Sequence, residues 1–128
     1  MSSEASSNPS RSGAETVLKV GMVIHPVRDM ETAISFYTDG LGLEPRFRDG
    51  DRFCAFDVGG VTVALAAGAE AVADATAVSY KVADLDATIR HLVASGALLV
   101  REPEKGPHEV RAVLRDPSGN PFILYAGR

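Results

Sequence analysis

Between residues 17 and 126, apolar side chains recur at two different spacings, and the spacing switches along the chain in a regular order. Alternation, or a short apolar run bounded by turn residues, marks a strand; recurrence every three or four residues marks one face of a helix. Residues 17–27 read as a strand (Val17, Leu18, Val20, Met22, Val23, Ile24). A helix over 29–38 follows, with Asp29 as N-cap, Met30, Ala33, Ile34 and Tyr37 as its buried stripe, and Gly40 and Gly42 at its end. Strands over 43–48 and 53–58 are joined by a turn at Asp49-Gly50 or Gly50-Asp51. Gly59-Gly60 is a two-residue hairpin signal leading into a strand over 61–66.

After a small-residue segment, 68–74, the order repeats. A strand over 77–82 leads to a helix over 84–95, capped by Asp84, striped by Leu85, Ile89, Leu92 and Val93, and ended by Gly96. Strands over 98–101, 110–115 and 122–126 follow. The stretch 102–109 reads as a Pro/Gly loop and Asp116-Pro117-Ser118-Gly119-Asn120 as a tight turn. The local sequence repeats too: Val27-Arg28-Asp29-Met30-Glu31-Thr32-Ala33-Ile34 returns as Val82-Ala83-Asp84-Leu85-Asp86-Ala87-Thr88-Ile89. Two strand-helix-three-strand modules packed side by side, with any ligand site between them, account for the pattern. The expected division is a disordered N-terminal tail over 1–15, a first βαβββ module over 16–67, a linker over 68–75 and a second module over 76–128. Together 16–128 form one α+β domain.

Composition narrows the partners. At 128 residues the chain can bury a core without a disulfide or a metal. A net charge of −4 argues against nucleic acid and against an anionic membrane surface. Cys54 is the single cysteine, so an internal disulfide and a cysteine-based metal cluster are excluded. No apolar run approaches the ~18 residues of a membrane span, and no signal-peptide core is present, so the expected location is the cytoplasm.

Val27-x-Asp29, Phe36-Tyr37, Gly40-Leu41-Gly42-Leu43 and the closing Asp116-Pro117-Ser118-Gly119-Asn120 resemble, in this order and spacing, the vicinal oxygen chelate superfamily. That group includes glyoxalase I, bleomycin-resistance proteins, extradiol dioxygenases and methylmalonyl-CoA epimerase. The resemblance implies a curved mixed sheet around a cavity, frequent homodimerisation and, in the metal-dependent members, two ligands from each module. On the first strands those positions are Met22 and Ala77, seven residues before Asp29 and Asp84; on the last strands they are Ala64 and Ile123. None carries an imidazole or a carboxylate, so no metal and no other cofactor is expected. His25 points to the helix side of its strand, His91 lies off the helix stripe, and His108 sits in the 102–109 loop, so their spacing forms no metal cluster.

Side-chain alternation gives a lining for the cavity. Pairing through Gly59-Gly60 turns Phe53, Ala55, Asp57 and Ala64 inward, and extending it through the next turn adds Arg46 and Arg48. The second module contributes Ala77, Ser79, Ile123 and Tyr125, with Arg111 and Val113 if the final turn uses five residues. Met22 and Ile24 complete the wall. This predicts small alanines at the floor, apolar walls and a cationic rim of Arg46, Arg48 and Arg111, suited to an amphiphilic and even anionic organic molecule. No residue is assigned a catalytic role. The sequence therefore reads as a metal-free binding protein for a small organic ligand, acting by sequestration or sensing. The alternatives are a metal-dependent lyase, isomerase or dioxygenase of the glyoxalase type with relocated ligands, and an accessory domain without a ligand.

Overall fold

Both helix caps form as the repeat predicts. Asp29 Oδ1 accepts a hydrogen bond from the Thr32 N–H at 3.2 Å, and Asp84 Oδ1 accepts one from the Ala87 N–H at 3.0 Å. These contacts come from a computed structural model that describes residues 17–128; the 1–15 tail lies outside the described residues. The first module runs β1 (Val17–Pro26), α1 (Met30–Ser35), β2 (Pro45–Asp49), β3 (Phe53–Val58) and β4 (Val61–Ala66). The second runs β5 (Ala77–Val82), α2 (Leu85–Ala94), β6 (Leu98–Lys105), β7 (Glu109–Arg115) and β8 (Pro121–Gly127).

The eight strands form one curved, unclosed mixed sheet in the order β2-β3-β4-β1-β5-β8-β7-β6. β1 and β5 meet antiparallel at its centre, and each runs parallel to the last strand of its own module, β4 and β8. The order thus reads the same outward from the centre in both directions. Both helices cover one face. α1 packs Met30 and Ile34 on Cys54, Phe56 and Leu65. α2 packs Leu85 and Ile89 on Val82, Ala112, Leu114 and Leu124. Burial of these two apolar stripes holds the helices down and leaves the opposite face to curve around open space.

The structure departs from the sequence expectation in three places. α1 gives way after Ser35 to a π-helical turn over Phe36–Gly40, which still seats Tyr37 against the same core. β6 continues through most of the expected 102–109 loop, to Lys105. Pro103 is tolerated there because β6 is an edge strand, where a missing N–H leaves no neighbour unpaired, and two irregularities in its pairing with β7 absorb the misfit. The third departure is a register shift. β2 pairs Phe47 with Ala55 and Asp49 with Phe53, leaving a three-residue turn, Gly50-Asp51-Arg52, closed by a hydrogen bond from the Arg52 N–H to the Asp49 carbonyl at 3.0 Å. One residue more than a two-residue turn reverses Phe47, Arg48 and Asp49, up to the irregularity before Phe47.

Candidate functional site

On the face away from the helices lies a cavity of about 310 Å³. Its apolar wall comes from the centre and the first module: Met22 and Ile24 of β1, Phe47 of β2 and Phe53 of β3, with Ile123 of β8 opposite. Ser79, Arg111 and Tyr125 supply polar groups from β5, β7 and β8. Seven of the anticipated side chains therefore share this wall: Met22, Ile24, Phe53, Ser79, Arg111, Ile123 and Tyr125. Alternation places them because the Gly59-Gly60 hairpin pairs Ala55 with Ala64 and the closing turn leaves five residues between Arg115 and Pro121.

The remaining expectations are corrected. Arg48 stands opposite Cys54, on the helix face, and binds Glu31 of α1 at 2.8 Å and Asp51 at 3.2 Å. Its hydrogen bond to Glu31 raises the guanidinium pKa further. Arg46 sits at the irregularity between Pro45 and Phe47 and donates to Thr62 Oγ1 at 3.1 Å, off the cavity wall. Asp57 lies outside the cavity wall and accepts the Gly60 N–H at 3.1 Å, closing the hairpin. Ala55, Ala64 and Ala77 do lie on this face, but they are sealed at 3%, 0% and 2% exposure and form no part of the main wall.

Ala77 and Val113 are covered by a segment that the sequence left as a plain linker. Val72 packs with Ala77, Val113 and Ile123, and against Ile24, filling the space above the alanine. Three arginines of the second module hold this strap down. Arg101 Nη1 donates to the Val72 carbonyl at 3.4 Å, Arg111 meets Glu70 at 3.5 Å, and Arg115 meets Asp74 at 2.8 Å. Val72 is the one large apolar residue between Gly68 and Asp74, though its position in the sequence does not say what it covers. Pro107 and His108 from the loop before β7 and Glu109 at its start complete the lining, together with Phe47 and Asp49, which the β2 register brings in.

These additions reverse the expected electrostatics. Of the predicted cationic rim only Arg111 remains, and it is engaged by Glu70. Asp49, Glu70 and Glu109 line the same cavity, three carboxylates against one guanidinium. Burial and the neighbouring Glu109 charge raise the Tyr125 phenol above its ordinary pKa, keeping it protonated and able to donate.

The positions that would hold a metal offer one thioether and three hydrocarbon side chains: Met22, Ala64, Ala77 and Ile123. Two of them are sealed alanines, and divalent cations require nitrogen, oxygen or thiolate donors. Among the described residues no three His, Cys, Asp or Glu side chains form a metal-holding group. His25 hydrogen-bonds Thr76 through Nδ1 at 2.6 Å and stacks on Tyr37, on the helix side. The donor set does not fit a divalent metal. A larger, more open cleft of about 660 Å³ lies beside α2, lined by core side chains such as Tyr80 and Leu124 and bordered by Val17, where the described residues begin. Its outer limit is undefined, so the concave-face cavity is the better bounded site.

Two βαβββ modules whose shared sheet curves around a cavity define a recognisable fold class. The chain belongs to the Glyoxalase/Bleomycin resistance protein/Dioxygenase superfamily, whose model matches residues 19–124. It is 36% identical over 109 residues to an uncharacterized protein of Mycolicibacterium smegmatis, covering 84% of this chain and 93% of that one. The fold is shared with a superfamily member from Vibrio splendidus 12B01, 20% identical over 87% of this chain and 99% of that one, TM-score 0.64. It is shared also with methylmalonyl-CoA epimerase from Mycobacterium tuberculosis, 20% identical over 92% and 93% of the two chains, TM-score 0.61. No helix among the described residues is long and apolar enough to cross a membrane.

Proposed function

We propose that this chain is a metal-free, bleomycin-resistance-like binding protein that sequesters or senses a small amphiphilic organic molecule, acting as a cytoplasmic homodimer. The observation that carries the reading is the replacement of all four metal-ligand positions by Met22, Ala64, Ala77 and Ile123, beside a cavity that keeps an apolar wall. A wall of Met22, Ile24, Phe47, Phe53 and Ile123 favours ligand burial by roughly 25 cal/mol per Å² of apolar surface covered. Metal content tests the reading directly. After incubation with nickel, zinc, manganese or ferrous iron and removal of free metal, elemental mass spectrometry should find background levels of each. Stoichiometric retention of one would overturn the metal-free assignment and return the chain to the metal-dependent enzymes.

A further inference from the structure

Ser79 stands out among the polar groups of the cavity. Its side chain is 5% exposed and lines the cavity, and its hydroxyl has no hydrogen-bond partner among the described residues. No side-chain oxygen among the described residues is both fully buried and unpaired, so this hydroxyl is open to the cavity, where a ligand atom can complete it. Tyr125, on the adjacent strand β8, turns a protonated phenol toward the same space.

The charges around this polar floor are mostly negative. Arg111 is engaged by Glu70, and Asp49 is bound at 2.8 Å by Arg52 on the exposed turn. Glu109 lines the cavity, is half-buried, and has no cationic partner among the described residues. The Phe47 and Phe53 rings, 6.3 Å apart and tilted by 52°, add the negative faces of two aromatic systems. A carboxylate or phosphate in this space would meet uncompensated negative charge. A cation would meet Glu109, aromatic side chains and, among the described residues, no free positive competitor.

We propose that the cavity selects organic cations: a flat apolar body bearing an ammonium group that pairs with Glu109, and a hydrogen-bonding edge completed by Ser79. The proposal rests on the reading of this cavity as the ligand site. It names the chemical class of the ligand, the residue that sets its charge and the residue that meets its polar edge.

Three probes of one shape test it: 1-naphthylmethylammonium, 1-naphthoate and 1-naphthylmethanol, titrated to about 10 mM into the full-length protein and followed by backbone amide shifts. The ammonium compound should bind at least about tenfold more tightly than the carboxylate, with the alcohol between them and the shifts centred on Ser79, Ile123 and Tyr125. Glu109→Gln should reduce the ammonium-to-carboxylate affinity ratio to under about threefold, and Ser79→Ala should weaken the alcohol, whose hydroxyl is its one polar edge, by about two- to tenfold. If the carboxylate binds as tightly as the ammonium compound, or if Glu109→Gln leaves their ratio unchanged, the cation assignment is overturned while the cavity remains a ligand site. If none of the three perturbs the cavity amides, the ligand-site reading itself falls, and this inference with it.

Discussion

At Gly21 the chain does without a Cβ for a reason unrelated to its backbone angles, since its φ is not positive. A Cβ there would collide with the Tyr125 hydroxyl and ring, which lie against β1 at this point. The obstacle is the far end of a side chain, so Gly21→Ala should fold normally and push Tyr125 off its seat. The Tyr125 ring resonances should shift and probe affinity in the cavity should fall severalfold, while the melting temperature changes little; an unmoved ring would show that Tyr125 is placed by something else. Cys54 illustrates the opposite situation. It is fully buried between the sheet and α1, and burial raises its thiol pKa. Because the reactive species is the thiolate, Cys54 should resist a thiol reagent in the native protein and react promptly in denaturant. Rapid native labelling would mean that α1 opens readily.

Turn length separates the elements whose facing could be read from those whose facing could not. Gly59 and Gly60 both have positive φ, at 60° and 90°, which fixes a two-residue hairpin and the inward set Phe53, Ala55 and Ala64. The turn before β3 offered Gly50 with acidic residues on either side, compatible with either two or three residues. Three were used, so Phe47 and Asp49 took the inner side and Arg48 turned to the helix face. The strap over 68–74 was equally hidden, because an apolar residue in a small-residue segment acquires meaning only from what it lands on. Val72→Ala should cost about 2 kcal/mol from lost burial and a partly collapsed void. Urea denaturation should report that loss, and the cavity should enlarge toward Ala77. A change near zero would show that the strap contributes little to holding the modules together.

For the molecule as a whole, the described wall of the cavity draws on both modules. The sheet is unclosed, and its edge strand β6 exposes Leu98 at 62% and Val100 at 45%. Light scattering should therefore give twice the mass of one chain. A single-chain mass would remove the homodimer from the proposal and leave the cavity untouched.

The sequence by itself determined the two modules, both N-caps, the helix stripes and the inner face of β1, β3, β4, β5, β7 and β8. Those features depend on periods of two and 3.6 residues and on glycine-defined or five-residue turns, all of which are local. It also placed Met22, Ala64, Ala77 and Ile123 where a metal would otherwise be held. The tertiary structure decided the facing of β2, the descent of Val72 over Ala77, and the sign of charge around the cavity. Each depends on a single residue of loop length or on contacts between segments far apart in sequence. A one-residue change in a turn inverts a strand, and carboxylates from three separate segments become neighbours only when the chain has folded around the same space.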